Sequence, residues 1–174
     1  MLNVVAMDVT DAESAKNAAT QLKDVAIDVL INSAGIAGVQ GQKTGNVNYE
    51  SWAHVFDVYT MGPLRVLESF SDHIAGSERR LVVTITSGMG SLAENTSGGS
   101  IAYRSSKAAV NMVMRPRGIN CVLVNPGWVR TEMGGPKAPL SPQESVTAMR
   151  RLIDTFGPNQ SGKFYNYDGR EYPW

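Results

Sequence analysis

The chain has 174 residues, which is enough for one domain with a buried core, and 43% of its residues are hydrophobic. Its 16 basic and 16 acidic side chains cancel, so charge offers no argument for a nucleic acid or an anionic membrane as a partner. No signal peptide and no apolar run of membrane-spanning length is evident, so we expect a cytoplasmic protein without membrane contact. The two histidines, His54 and His73, lie far apart in sequence, so no metal site is expected.

Strand-like and helix-like runs of apolar residues alternate along the chain. Such alternation predicts an α/β fold in which helices cover both faces of a parallel sheet. The first predicted elements are a strand over 4–7, a helix from the capping-box sequence at 10–13 to about residue 22, and a buried strand over 25–31. A long helix follows between about 49 and 74, kinked by Pro63, and then a strand over 81–86. The last elements are a helix from about Tyr103 that ends by Arg115 because Pro116 follows, a buried strand over 121–124, a helix that begins at 141–144 and a short strand over 163–167.

The helix that begins near Ser141 has the clearest start signal in the chain. Ser141 and Glu144 have capping-box spacing, and Pro142 stands at the first helical position. Apolar residues at helical spacing follow, and we expect them to pack in the core: Val146, Met149, Leu152 and Ile153. We also expect Trp128 to pack and Cys121 to be buried.

Tyr103 and Lys107 form the pair that carries most chemical information. On a helix they lie one turn apart, about 6 Å along the axis, and share a face. A nearby ammonium group favours a phenolate, so Lys107 is expected to lower the pKa of Tyr103 towards neutrality. The Ser87 hydroxyl then holds a substrate carbonyl oxygen while Tyr103 protonates it. Taken alone, the spacing favours an ordinary surface pair, because such pairs are common.

Three further motifs each follow a predicted strand. They are Asp8-Val9, Asn32-Ser33-Ala34-Gly35 and the stretch from Asn125 to Thr131. Together with Ser87 and the Tyr103–Lys107 pair, in this order, they resemble the short-chain dehydrogenase/reductase family. Within that family GSLAENTSGGSIAYRSSKAAVN, NPGWVRTEMGG and the ending 162–174 look like the small carbonyl reductase or C-factor-like subgroup. The resemblance extends from Asn3 to Trp174.

The resemblance implies an NADP- or NAD-dependent oxidoreductase that reduces a small-molecule carbonyl to an alcohol, or the reverse. Tyr103 is then the general acid or base, and Lys107 lowers its pKa and binds the nicotinamide ribose. Ser87 is the expected carbonyl-oxygen donor. Ser91 is the alternative, because the inserted loop at 95–100 lengthens the spacing to Tyr103.

The same resemblance implies a set of cofactor contacts besides Tyr103 and Lys107. Asp8 and Val9 flank the adenine, although an aspartate there also fits a plain turn. The stretch Asn32, Ala34 and Gly35 runs beneath the adenine ribose, and is otherwise a strand-to-loop turn. The nicotinamide carboxamide and phosphate contact Pro126, Gly127, Val129 and Thr131. The segment 132–140, rich in glycine and proline, is expected to be a lid.

The chain also departs from the family pattern. No glycine-rich turn precedes the motifs above, so we expect an incomplete doubly wound sheet that lacks its first two strands, with residues 1–174 forming a single truncated Rossmann-like domain. We therefore expect cofactor binding to be weak or absent and the activity of this chain to be impaired. The strand at 25–31 then has an exposed edge. Tyr59 stands where the family has asparagine, and we expect its bulk to enter the site and impair a proton relay. The helix that begins near Tyr103 is shorter than in the family, where it packs against its copy in a second subunit. A homo-oligomer is therefore possible, but with a smaller contact between the subunits.

Two other functions stay open on these residues. One is a non-catalytic signalling or binding protein of the C-factor kind. The other is a non-functional fragment of an oxidoreductase. The missing glycine-rich turn favours these alternatives, whereas the survival of every later motif favours an enzyme as the ancestor.

Overall fold

The computed structural model describes residues 2–115 and 118–174; Pro116, on which the predicted end of one helix depended, lies outside them. Its strands and helices are β1 Val29–Asn32, β2 Leu81–Ile85, β3 Asn120–Asn125 and β4 Phe164–Asn166, with α1 Ala12–Gln21, α2 Tyr49–Phe56, α3 Gly62–Ser69, α4 Ser71–Ala75, α5 Ile101–Val113 and α6 Pro142–Asp154. A π turn, Asp57–Met61, joins α2 to α3, and short 3₁₀ turns cover Gly88–Gly90 and Pro158–Gln160.

The four strands form one parallel sheet in the order β1-β2-β3-β4. Leu30 pairs with Val82, and Val83 pairs with Val122. Parallel neighbours need crossover connections, which the helices supply. The predicted α/β class with a parallel sheet is confirmed.

Alternate residues of the central strands point into two separate hydrophobic clusters. Val82 and Leu123 pack with residues of α1, α3, α4 and α5. Val83 and Val122 pack on the opposite face with Ile153 of α6. This period of two is the pleat of a strand buried on both faces. Helices therefore cover both faces, as predicted.

The predicted strand over 4–7 is wrong. Residues 2–8 carry no strand, and the Val4 side chain is 88% exposed. A strand needs a hydrogen-bonded neighbour, and the described sheet offers none beyond β1. Local apolar residues alone could not supply that neighbour.

The predicted buried strand over 25–31 is also wrong in extent and in burial. Only Val29–Asn32 form β1, and Ile31 is 49% exposed at the edge of the sheet. The preceding backbone is engaged elsewhere: the Val25 N–H donates to the Leu22 carbonyl at 3.1 Å, and the Ile27 N–H donates to the His73 carbonyl at 2.9 Å. The exposed edge that the sequence predicts is present but short.

The predicted long helix over 49–74 is interrupted at the π turn. Its Gly62 N–H donates to the Asp57 carbonyl, five residues back, immediately before Pro63. Because proline lacks an N–H, the wider turn accommodates it without a broken bond inside α3. The predicted kink thus takes the form of a π turn, which contains the buried Tyr59.

Three details of the helix starts refine the predictions. Asp11, not Thr10, caps α1, because the Thr10 hydroxyl donates to the Asp8 carboxylate. The α6 capping box is present as predicted, with the Ser141 hydroxyl accepting from the Glu144 N–H at 3.2 Å. Helix α5 begins two residues before Tyr103. Val146 is 50% exposed, so its predicted core position is wrong, whereas Ile153 is buried.

Candidate active site

One cavity of about 910 Å³ lies at the carboxyl ends of the parallel strands. The loops that follow β1, β2 and β3 form its walls, together with the first turns of α5 and α6. This is the usual ligand position in an open parallel α/β sheet. Its lining includes most of the predicted site residues: Ala34, Gly35, Ser87, Tyr103, Lys107, Pro126, Gly127, Val129 and Thr131.

Tyr103 and Ser87 meet inside this cavity. The Ser87 hydroxyl lies near enough to the Tyr103 hydroxyl to lower its pKa. The Ser87 oxygen also accepts the Met89 N–H at 3.1 Å, which fixes the serine at the end of β2. Burial raises the pKa of Tyr103, and the nearby Ser87 hydroxyl opposes that rise only in part. The predicted lowering of the Tyr103 pKa by Lys107 is therefore wrong for this structure.

Lys107 is held away from solvent on the inner side of α5. Only 4% of the residue is exposed, and its Nζ donates to the Ile85 carbonyl at 3.1 Å. Nζ lies 3.9 Å from the ring centre of Tyr59 and 5.7 Å from that of Tyr103. Burial lowers the pKa of Lys107 to about 7, because a buried ammonium loses its hydration. Both protonation states of the amine are therefore available near neutral pH.

Ser91, the alternative to Ser87, lies in a different position. It is buried, does not line the cavity, and its oxygen accepts the Glu94 N–H at 3.1 Å. Ser91 thus caps the start of the loop that leads to α5. Of the two serines, only Ser87 lines the cavity.

Tyr59 enters the cavity from the π turn. Its hydroxyl donates to the Ile36 carbonyl at 2.6 Å, and its ring meets the Tyr103 ring edge to face at 5.5 Å. A Cβ atom on Gly35 would stand 2.8 Å from the Tyr59 ring, so only glycine fits there. Burial raises the pKa of Tyr59 to about 12, which keeps its hydroxyl protonated.

Three of the predicted cofactor residues lie outside this cavity. The Asp8 carboxylate accepts the Thr10 N–H at 2.8 Å, and these bonds from Thr10 lower its pKa, as in a plain turn. The Val9 carbonyl accepts from Arg65 at 3.0 Å. Asn32 is buried beneath the loop, where its amide donates to the Thr84 hydroxyl at 3.3 Å. Their contact with a cofactor stays a prediction.

The Pro-Gly turn after β3 is held from below by α6. The Ser145 hydroxyl donates to the Pro126 carbonyl at 2.7 Å. Gly127 has a φ of +80°, and a Cβ atom there would stand 2.5 Å from Leu140. Both observations require glycine at this close approach. The turn therefore presents the backbone of 126–129 to the cavity at a fixed position.

Trp128 is 58% exposed, so its predicted packing is wrong. Its indole N–H donates to the Gly134 carbonyl at 2.8 Å and ties the turn after β3 to the predicted lid. The Thr131 hydroxyl accepts the Gly134 N–H at 3.1 Å in the same loop. The segment thus has internal bonds and is attached to the cavity wall through its first residues.

Sequence reasoning missed several residues that line the cavity. The most informative is Tyr172, whose hydroxyl stands 2.6 Å from the position of a Cβ atom on Gly88, next to Ser87. The C-terminal ending carried a family signal but no chemical role, so nothing in the sequence pointed to this contact. Other missed lining residues include Arg104, Val146, Met149, Gln40 and Glu94.

Two other observations concern the described parts of the chain, 2–115 and 118–174. Within them, His, Cys, Asp and Glu residues form no group able to hold a metal ion. None of the helices in these ranges combines the length and the apolar character that a membrane span requires.

The family model for short chain dehydrogenase matches residues 1–140. The C-signal protein of Myxococcus xanthus is 46% identical over 155 residues, which cover 85% of this chain and 93% of that protein. The 1-hydroxy-2-glutathionyl-2-methyl-3-butene dehydrogenase of Rhodococcus sp. (strain AD45) is 32% identical over 181 residues, which cover 97% of this chain and 78% of that enzyme.

Solved structures show the same likeness over nearly the whole chain. The NADPH-bound carbonyl reductase from chicken fatty liver superposes with a TM-score of 0.90 at 30% identity, covering 99% of this chain and 77% of that one. The carbonyl reductase Sniffer of D. melanogaster gives a TM-score of 0.92 at 28% identity, with coverage of 99% and 78%. The family resemblance predicted from the motifs is confirmed: the chain belongs to the short chain dehydrogenase family of oxidoreductases, on the side of the carbonyl reductases and C-signal.

Proposed function

We propose that this oxidoreductase reduces a small-molecule carbonyl to an alcohol, or catalyses the reverse, with Ser87, Tyr103 and Lys107 as its catalytic residues and NADP or NAD as its cofactor. The observation that supports this most is the convergence of the three side chains. They come from the end of β2 and two successive turns of α5, and they line one cavity. The protein needs no nucleophilic side chain, because the reaction transfers a hydride from or to the cofactor and a proton from or to the protein.

The described residues fit the nicotinamide half of such a cofactor. The loop at 33–35 and the turn at 126–129 both line the cavity, and both contain glycines at close approaches. Pro126, Gly127, Val129 and Thr131 would hold the nicotinamide end, and Lys107 would hold its ribose. When bound, the nicotinamide supplies or accepts the hydride.

Tyr103 and Ser87 supply the proton and the oxygen contact. Because burial raises the pKa of Tyr103, the phenol is protonated at neutral pH and suits the acid role in carbonyl reduction. Ser87 accepts from Met89 through its oxygen, and its own O–H can donate to a carbonyl oxygen. Two donors then act on one oxygen, which is the arrangement that stabilises a developing alkoxide.

A titration with NADPH and with NADH, followed by the cofactor's fluorescence, tests this function. A redox function predicts saturable, though weak, binding that Lys107→Ala abolishes. In a carbonyl-reduction assay, Tyr103→Phe should lower turnover by at least about 10²-fold and leave binding in place. Flat titrations with both cofactors would rule out a redox role for this chain, and unchanged turnover in Tyr103→Phe would rule out the catalytic assignment.

A binding or signalling role without catalysis is the second candidate. It is supported by the 46% identity to C-signal over 93% of that protein. This role predicts a cavity ligand without turnover, so Tyr103→Phe would leave its biological readout unchanged. Two earlier predictions stay open: that Tyr59 impairs the proton relay, and that the chain is a non-functional fragment. The turnover assay tests both, because each predicts a low or absent rate.

The proposal also covers the location, the partners and the domain organisation of the protein. We infer a cytoplasmic protein whose partner is a small molecule, with neither nucleic acid nor membrane, and with a homo-oligomer as a possible state. The balance of 16 basic and 16 acidic side chains supports the exclusion of nucleic acid. That residues 1–174 form a single truncated Rossmann-like domain likewise stays a prediction.

A further inference from the structure

The ammonium group of Lys107 has three N–H donors, and two of its sides are already in contact. One donor is used by the Ile85 carbonyl at 3.1 Å. On another side the Tyr59 ring centre lies 3.9 Å from Nζ, which is the distance of a close cation–π contact. The lysine therefore has one donor left for a molecule in the cavity.

The Tyr59 ring is itself held by contacts with several neighbouring residues. Its hydroxyl is bonded to the Ile36 carbonyl at 2.6 Å, and Gly35 packs against the ring. The edge of the ring meets Tyr103, and the Met133 sulfur lies 3.9 Å from its hydroxyl. A ring fixed by these contacts gives the ammonium a defined resting place.

We propose that Tyr59 is a positioning residue that holds the Lys107 ammonium against its ring and competes with bound ligands for it. The inference rests on the proposed function, because it assigns Lys107 to ligand binding. A ligand that needs two donors from Lys107 must draw Nζ off the ring. Tyr59 thereby weakens binding through Lys107 and keeps the amine turned away from Tyr103.

The surroundings of Lys107 leave Tyr59 without a competing charge. The titratable groups that face the amine are Tyr59 from the π turn and Tyr103 from its own helix. Strand β2 presents the Ile85 carbonyl to the amine, whereas Gly90 lies against the Lys107 backbone and Cβ atom. Among the described residues no carboxylate contributes to the shifted pKa of Lys107, whose cause is burial. The ring is thus the main electrostatic partner of the ammonium besides that carbonyl.

Lysine side-chain NMR tests the resting place directly. A methylene group held over an aromatic face is shifted upfield by the ring current. In protein labelled with ¹³C-lysine, at pH 6 where the ammonium predominates, we expect an upfield Lys107 Hε signal, assigned by its loss in Lys107→Met. Tyr59→Phe keeps the ring and should keep the shift, whereas Tyr59→Leu should abolish it.

Ligand competition is tested by adding NADPH to the same samples. In the natural chain NADPH should move the Lys107 signal towards an ordinary lysine position. The dissociation constant of Tyr59→Leu should be about fivefold lower than that of Tyr59→Phe, which corresponds to about 1 kcal/mol, the value of one cation–π contact.

Two results would overturn the inference. One is a Lys107 signal that lies at the ordinary lysine position in both the natural chain and Tyr59→Phe. The other is an equal or higher dissociation constant in Tyr59→Leu. If Tyr59→Leu does not fold, the Lys107 signals of the natural chain and of Tyr59→Phe, and the movement of that signal on adding NADPH, still test the inference. If NADPH binds to none of the proteins, the proposed function fails, while the signal without NADPH still decides where Lys107 rests.

Discussion

Gly90 lies directly against the backbone of Lys107. A Cβ atom on Gly90 would stand 2.8 Å from the Lys107 carbonyl carbon and 2.9 Å from its Cβ atom. The turn at 88–90 and helix α5 therefore approach each other closely only because residue 90 has no side chain. This contact fixes Lys107 and Tyr103 relative to Ser87, which precedes the turn.

We expect Gly90→Ala to push the turn and α5 apart. The neighbouring atoms are backbone and cannot rotate away, so the free energy of unfolding should fall by about 1–3 kcal/mol. Urea unfolding measures this loss, and NADPH binding should weaken with it. Gly76→Ala is the matched control, because its nearest contact is at 3.4 Å and its φ is negative. Equal stability of the two variants would contradict the close contact.

The two candidate serines can be separated by one pair of substitutions. Ser87 lines the cavity beside Tyr103, whereas Ser91 caps a backbone N–H outside it. We expect Ser87→Ala to lower the rate of carbonyl reduction by about 10²–10³-fold, since one oxyanion donor is lost. It should also cost about 1 kcal/mol of stability, because the Met89 N–H loses its acceptor. Ser91→Ala should cost a similar amount of stability, about 1 kcal/mol, but leave the rate per folded molecule nearly unchanged. The reverse pattern would assign the donor role to Ser91.

The stability of the protein should depend on pH through Lys107. Its pKa is about 7 in the folded chain, against an ordinary value of 10.5. Between these values the unfolded chain binds more protons than the folded chain, so the free energy of unfolding attributable to Lys107 rises with pH. Below pH 7 both the folded and the unfolded chain carry the proton, so the buried ammonium lowers the free energy of unfolding by its full amount.

Urea unfolding between pH 6.5 and 8.5 measures this slope. Cys121, whose pKa is raised from 9.0 to about 12, begins to act in the opposite direction near the top of this range, because the unfolded thiol starts to ionise there. Tyr59, whose pKa is raised from 10.0 to about 12, acts in that direction only at higher pH. Lys107→Met keeps a similar length without a charge, so the difference between the two proteins isolates the lysine. Parallel pH dependences would show that Lys107 is not buried as an amine.

The elements that sequence reasoning predicted well are those whose signals are local. The Ser141–Glu144 capping box fixed the start of α6, and the apolar runs at 81–85 and 121–124 fixed two central strands. Strand formation at 4–7 failed, because pairing depends on a neighbour elsewhere in the chain. Pro63 indicated a break in the helix but not its form, since a π turn and a simple kink share that signal.

The site divides in the same way. Motif order placed Ser87, Tyr103 and Lys107 in one cavity, because residues after parallel strands and on the next helix meet at one edge of the sheet. The pKa of Tyr103 was predicted in the wrong direction, since burial and the position of Lys107 over Tyr59 are tertiary facts. Tyr172 approaches Gly88 from the far end of the chain, a contact that no local pattern encodes.

The last prediction concerns the turn that carries Pro126. Gly127 and Gly135 both have positive φ values, +80° and +75°, so alanine is strained at either position. Their surroundings differ: a Cβ atom on Gly127 would stand 2.5 Å from Leu140 and 2.8 Å from Tyr167, whereas nothing lies within 4 Å of one on Gly135. Gly135→Ala is therefore the control for backbone strain alone.

We expect Gly135→Ala to cost about 1 kcal/mol of unfolding free energy, and Gly127→Ala to cost about 1–3 kcal/mol more through the clash. Because the turn at 126–129 forms a cavity wall, Gly127→Ala should also weaken NADPH binding, while Gly135→Ala should leave it within about twofold. Thermal unfolding and a fluorescence titration measure the two effects. If both variants lost the same stability, Leu140 and Tyr167 would have to yield freely to the new methyl group, and the turn would not be the rigid wall that its contacts with Ser145 and Leu140 indicate.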